Sequence, residues 1–178
     1  MKKVVSKLFL LAGLLFISFG FYLVYLRHSP KLLSFEGKKT SVKYASGSNQ
    51  PSKITIPSLR LNLPIVPAIS DGRDWETTHL GVSYLSGSPV PGEQGNSVLY
   101  GHNWESLLSK LPQIKTGERI EITMQNGSKK SFVVEYTAVV TPDQTYIIEN
   151  TSDTRMTLYT CTGFLDSKRF VVVAKPSV

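Results

Sequence analysis

Met156-Thr157-Leu158-Tyr159-Thr160-Cys161, closed by Thr162-Gly163, is followed after five intervening residues by Arg169-Phe170-Val171-Val172-Val173-Ala174. In the first stretch Met156, Leu158 and Thr160 alternate with Thr157, Tyr159 and Cys161. A period of two is a strand with two distinct faces. The second stretch is a continuous apolar run rich in β-branched residues, which reads as a strand buried on both faces. Arg169 comes eight residues after Cys161, so a short loop returns the chain beside the strand it left. The two stretches predict neighbouring strands, with a guanidinium near a thiol.

The same alternation recurs upstream, at Ile54 and Ile56, at Ile120, Ile122 and Met124, and at Phe132, Val134 and Tyr136. Turn residues punctuate these runs at Pro57-Ser58, Pro89 to Gly95, Asn126-Gly127 and Pro142-Asp143. Asn-Gly between two alternating stretches is a hairpin signal, because both residues tolerate the positive φ that tight hairpins need. Trp104 to Leu111 is the one helical-looking segment after residue 52, with Leu107, Leu108 and Leu111 on one side. Seven or eight short strands at regular spacing predict an all-β domain closed, or nearly closed, into a barrel with one or two short helices. Closure also removes edges that would otherwise aggregate.

The N-terminal third is different in kind. Leu8 to Leu26 is an uncharged run of 19 residues, close to the ~20 that a helix needs to cross the hydrocarbon layer. Lys2, Lys3 and Lys7 precede it, and Tyr22 and Tyr25 sit near its far end. It ends without the small-residue pattern of a cleaved signal peptide. The expectation is an uncleaved signal anchor over residues 8–26, with residues 1–7 cytoplasmic. Residues 27–52 then form an extracytoplasmic linker and residues 53–178 the catalytic domain. The linker, with Lys38, Lys39, Ser46, Gly47, Ser48 and Pro51, reads as a solvated basic tether. Charge supports this division. Residues 1–52 hold eight Lys or Arg against the single acid Glu36, and residues 53–178 hold twelve basic and twelve acidic residues. The excess of +7 therefore lies beside the apolar run. That fits a membrane surface rather than nucleic acid, which would call for a basic face on the folded domain.

A single cysteine excludes an intrachain disulfide and a multi-cysteine zinc site. Taken alone, Cys161 is more often a small buried hydrophobe than a nucleophile. Its place at a strand end beside Gly163 favours a site. His102 closes another strand, Ser97-Val98-Leu99-Tyr100-Gly101, where Gly101 permits a close approach. His28 and His79 read as ordinary solvated or packed residues. The bland alternative for Arg169 is a surface ion pair with Asp166. Together, Cys161, His102 and Arg169 have a chemical logic. A thiol becomes nucleophilic as thiolate, and a free cysteine has a pKa of about 8.5. Histidine exchanges protons near neutrality. Arginine keeps its charge and presents a rigid fork of donors to a developing oxyanion.

Thr157 to Cys161, followed by Arg169 to Ala174, resembles the catalytic segment of the sortases. Gly87-Ser88-Pro89-Val90-Pro91-Gly92-Glu93-Gln94-Gly95-Asn96-Ser97-Val98-Leu99-Tyr100-Gly101-His102 is similar to the family's approach to its catalytic histidine. Ile54-Thr55-Ile56-Pro57 and Leu63-Pro64-Ile65-Val66 look like its opening strands. The resemblance runs from about Lys53 to Val178 and is that of a small member similar to classes D, E or F. It implies an eight-stranded barrel, with Cys161 as nucleophile, His102 as general acid and base, Arg169 as substrate and oxyanion clamp, and Thr160 lining the substrate groove. It further implies cleavage of a Leu-Pro-x-Thr-Gly-type sorting signal through a thioester. The partners would be surface proteins bearing that C-terminal signal and an amine acceptor on a wall precursor or a pilin. No cofactor is expected. Glu93, Asp143, Glu149 and Asp153 are scattered and suggest no calcium site. The stretch Asp143 to Arg155, which would help to build the groove, is short. Two other readings stand beside this one. The first is a membrane-tethered cysteine peptidase, or a wall transpeptidase acting on D-amino acids. The second is a non-catalytic barrel that binds peptides. Trp75 and Trp104 read as packing residues.

Overall fold

The computed structural model describes residues 2–27, 33–35, 49–70 and 75–177. Helix α1 (Lys2–Arg27) contains the apolar run, and Lys7–Tyr25 is long and apolar enough to cross a membrane, with a mean hydropathy of 2.2. The tether residues His28, Lys31, Lys38, Lys39, Ser46, Gly47 and Ser48 lie outside the described residues.

Eight strands follow: β1 (Pro51–Ile56), β2 (Leu61–Ala68), β3 (Val82–Leu85), β4 (Gly95–Gly101), β5 (Arg119–Met124), β6 (Lys129–Val140), β7 (Thr154–Thr162) and β8 (Lys168–Pro176). They close into a barrel in the order β1-β2-β3-β4-β7-β8-β6-β5, as the alternating runs predict. β2 with β3 and β4 with β7 are parallel pairs. The long β6 serves two neighbours. Its residues 129–133 pair with β5 and its residues 132–140 with β8, with an irregularity between Val134 and Tyr136. Such a bulge bends a strand and helps a sheet to close. The Asn126-Gly127 hairpin forms between β5 and β6: Gly127 has φ +82, and Asn126 Oδ1 accepts from the Ser128 amide at 2.9 Å.

Alternation sorts the side chains into two cores. Leu99, Leu158 and Val172 point into the barrel, where they meet Ile54, Ile122 and Phe132. Val98, Tyr100, Tyr159, Cys161, Val171 and Val173 form a second core on the outer face of β4, β7 and β8. This is why Val171 to Ala174 is apolar without a break: both faces of β8 are covered. The outer core is roofed by Trp75, by Ile147 and Ile148 of the 3-10 turn Thr145–Ile148, and by Leu33 and Phe35.

Two expectations need correction. Trp104 to Leu111 is not an α-helix; residues 105–110 form successive turns that lead into a 3-10 turn at Leu111–Gln113. Pro112 explains this, since it has no amide to donate and disfavours α geometry at the residue before it. Leu107, Leu108 and Leu111 are nevertheless all buried. The second correction is at Leu33 and Phe35. They do not belong to a solvated tether, being 0% and 2% exposed against the outer core.

The roof at residues 145–150 is fastened by Asn96. Its Nδ2 donates to the carbonyls of Ile147 (3.1 Å) and Glu149 (3.0 Å), and its Oδ1 accepts from Thr157 Oγ1 (2.8 Å). Asn96 is 2% exposed, and Asn96→Ala would remove all three hydrogen bonds, although the Ile147 carbonyl would keep the Thr157 hydroxyl at 3.3 Å. Unpaired buried polar groups cost roughly 1–3 kcal/mol each. Asn96→Ala is expected to lower the unfolding free energy by about 3 kcal/mol, read as a shifted denaturant midpoint with an unchanged slope.

Candidate active site

Strand register assembles the site. In the parallel β4–β7 pair Gly101 is the partner of Thr160, and Thr160 Oγ1 donates to the Gly101 carbonyl at 2.8 Å. His102 is the next residue after Gly101, and Cys161 the next after Thr160. In the antiparallel β7–β8 pair Cys161 is the partner of Arg169. The three candidate residues thus stand at the same end of three adjacent strands. All are buried: Cys161 is 4%, His102 3% and Arg169 2% exposed. Gly101 also meets the expectation of a close approach, for a Cβ there would lie 3.1 Å from Leu108 Cδ1.

Arg169 is held mainly by backbone. Its Nη1 donates to the carbonyls of Asp166 and Lys168, both at 3.0 Å, and its Nη2 to the carbonyl of Ser34 at 3.1 Å. Nε is buried and has no acceptor among the described residues. The bland alternative, a surface pair with Asp166, does not fit this geometry. The Asp166 carboxylate instead accepts from Asn103 Nδ2 at 2.7 Å. The loop between β7 and β8 carries Leu165 (φ 51) and Asp166 (φ 59) in the left-handed region. That conformation costs a non-glycine residue roughly 1–2 kcal/mol, so the two neighbours that grip Asp166, Asn103 and Arg169, hold the loop against its own strain.

His102 is stacked. Its ring lies 4.4 Å from Trp104, nearly parallel, and Trp104 lies 5.0 Å from His79. A stacked arrangement fixes the plane of the imidazole. His79 and Trp104 therefore adjoin the candidate site, although in sequence Trp104 reads as a packing residue and His79 as an ordinary solvated or packed one. Their stack joins residues 25 apart in sequence, and no local period signals it. Thr160, the groove-lining expectation, is fully buried and turned toward Gly101. Tyr159, Leu33, Phe35 and Trp75 share the buried cluster that holds the thiol. Among the described residues no three His, Cys, Asp or Glu side chains converge as a metal site would require.

Electrostatics set the resting state of the thiol. Burial pushes the Cys161 pKa up to about 12; the Arg169 guanidinium pulls it down and the Asp166 carboxylate pushes it up, both by less. At neutral pH the sulfur is therefore a protonated thiol.

Against this geometry stand the comparisons. The family model "Sortase domain" matches residues 54–177, and the chain belongs to the sortase family. It is 31% identical to Sortase A of Bacillus anthracis over 124 residues, which is 67% of this chain and 56% of that protein. It is 26% identical to Sortase D of Bacillus subtilis over 148 residues, 80% of this chain and 72% of that protein. The chain thus spans little more than half the length of the Bacillus anthracis protein. Among solved structures, a lid mutant of sortase A from Corynebacterium diphtheriae superimposes with a TM-score of 0.63 at 29% identity, covering 75% of this chain and 73% of that one.

The thiol's burial has a measurable consequence. Because thiolate is the reacting form, alkylation of Cys161 in the folded protein is expected to accelerate with every unit of pH up to 10, without the levelling near pH 9 of an ordinary cysteine. Intact-mass measurement of the adduct over that range checks it.

Proposed function

We propose that this chain is a membrane-anchored cysteine transpeptidase that cleaves a Leu-Pro-x-Thr-Gly-type sorting signal and transfers the protein, through its new Thr carbonyl, to an amine on the cell wall or on a pilin. The observation that carries the proposal is the register that pairs Cys161 with Arg169 and sets His102 beside them. Family membership supports the class of reaction. In this reading α1 anchors the chain in the cell membrane, and the barrel lies on the extracytoplasmic side.

The chemistry then runs in two halves. His102 takes the proton of Cys161, and the thiolate attacks the carbonyl carbon of the Thr-Gly bond. The carbonyl oxygen becomes an oxyanion, which the Arg169 guanidinium stabilises. The intermediate collapses to a thioester on Cys161. The Gly amine leaves with the proton carried by His102. In the second half the acceptor amine attacks the thioester. His102 takes its proton, and collapse forms the new amide and returns the thiol. The buried and otherwise unoccupied Nε of Arg169 supports the oxyanion role, since it is a charged donor already desolvated beside the nucleophile.

The test uses the full chain in detergent micelles with a Leu-Pro-x-Thr-Gly peptide library and di- or triglycine, read by mass spectrometry. Peptide joined to the amine after Thr, with a thioester-mass adduct that Cys161→Ala abolishes, is expected. Hydrolysis without joining would make the protein a cysteine peptidase. No cleavage by folded protein would leave a peptide-binding barrel. Arg169→Lys keeps the charge but loses the fork, and is expected to lower kcat about a hundredfold, as loss of an oxyanion donor does.

The ring stack makes a separate prediction. An aromatic pair contributes about 0.5–1.5 kcal/mol beyond its burial. Trp104→Ala is expected to lower kcat/KM up to about tenfold, with Trp104→Phe restoring most of the loss.

A further inference from the structure

Three loops meet at the end of the barrel that carries Cys161. Residues 79–81 lead into β3, residues 102–104 leave β4, and residues 163–167 join β7 to β8. They are tied in a row: Asn103 Nδ2 donates to the Asp166 carboxylate at 2.7 Å, and the Trp104 ring stacks on His79 at 5.0 Å. Each loop nevertheless shows an apolar side chain to solvent. Phe164 is 85%, Leu165 58% and Leu80 77% exposed, and Trp104 is partly exposed. The backbone holds the first pair outward at a cost. Leu165 has φ 51, a region that leucine avoids, and the next residue, Asp166, is gripped by Asn103 and Arg169. The opposite end of the barrel differs. β6 runs antiparallel to β8 with Val140 opposite Arg169, so its first residue, Lys129, lies at the far end. The hairpin there, Gln125-Asn126-Gly127-Ser128-Lys129, is polar and exposed throughout. Single exposed apolar groups are ordinary, but a cluster on one rim marks a docking surface.

Chain length says what docks there. Lys7–Tyr25 of α1 is apolar enough to cross a bilayer. The chain is fastened to the barrel again at Ser34, whose carbonyl accepts from Arg169 Nη2 at 3.1 Å. Arg169 stands opposite Cys161 at the rim end of β8. From Arg27 to Ser34 there are seven peptide steps, at most about 25 Å at full extension. The nine residues of β7 run about 30 Å. With the hairpin end on the lipid, that leash would be drawn to nearly its full length; with the rim toward the lipid it is slack. We propose that Phe164 and Leu165, with Leu80 and Trp104 beside them, insert into the interfacial layer of the bilayer that α1 spans, so that the site opens at the membrane surface. The proposal rests on the reading of α1 as a membrane anchor and is independent of the transpeptidase reading. Phenylalanine, leucine and tryptophan are the side chains that settle in that layer. A few of them hold a free protein to lipid only weakly, but the tether makes their insertion intramolecular.

The test uses the full chain in vesicles of phosphatidylcholine and phosphatidylglycerol. Cys161 is the sole cysteine, so in a Cys161→Ala background Phe164→Cys, Leu80→Cys, Gln125→Cys and Phe16→Cys each carry one nitroxide. All four positions are exposed, so the label displaces no core. Collisions of the nitroxide with oxygen, which concentrates in lipid, and with a water-soluble nickel chelate report its depth. The oxygen-to-chelate ratio is expected to be several-fold higher at residues 164 and 80 than at residue 125, and highest at residue 16. With no substitution at all, brominated phosphatidylcholine is expected to quench Trp104, the other tryptophan, Trp75, being buried. Lipid at residue 16 with water at residues 164 and 80, or no quenching by the brominated lipid, overturns the proposal and keeps the anchor. Water at residue 16 overturns the anchor reading and the proposal with it. A label at residue 164 that stays in water on the vesicle but is immobilised by an added Leu-Pro-x-Thr-Gly peptide makes the rim a substrate contact, which also overturns the proposal.

Discussion

The parallel pairing of β4 with β7 is the constraint on which the site depends. It sets Gly101 opposite Thr160 and is pinned by the Thr160 hydroxyl on the Gly101 carbonyl. A strand slipped by one residue turns every side chain to the other face. A slip of β7 would move Cys161 into the barrel interior and expel Thr160 from it. Two filled cores oppose the slip, because Leu158 inside and Tyr159 outside are both fully buried. A sheet with one wet face could trade register for little. This one has no wet face along β4, β7 and β8, so the placement of the thiol follows from packing that has no chemical role.

Burial that secures the register works against reactivity. A thiol in an apolar core resists ionisation, and burial outweighs the opposing pull of Arg169. The site is therefore stable in a form that does little chemistry until a base or an opening changes it. Because Cys161 favours the neutral form in the fold, its contribution to stability is complete below about pH 8.5, where an unfolded cysteine titrates, and is lost as pH rises toward its folded value. Tyr84, raised to about 12 by burial, acts with the same sign. The strained turn at Leu165 and Asp166 is compatible with this economy: the loop is tied through Asn103 on the histidine side and Arg169 on the other, which links the two flanks of the thiol through one aspartate.

Much of this was legible in the residues. Alternation identified the strands, and the unbroken apolar run of β8 correctly implied two buried faces. Asn126-Gly127 identified its hairpin because the turn's positive φ is a local demand that few residues meet. Local demands are what a sequence displays. Trp104 to Leu111 misled because three leucines at helical spacing also suit a series of turns, and one proline decides between them. The ring stack at His79, Trp104 and His102 and the docking of Leu33 and Phe35 were not legible, for they join segments with no shared period. A leucine and a phenylalanine among lysines and serines look like chance in a polar tether. Their meaning appears only against the outer face of β7, more than a hundred residues away in sequence.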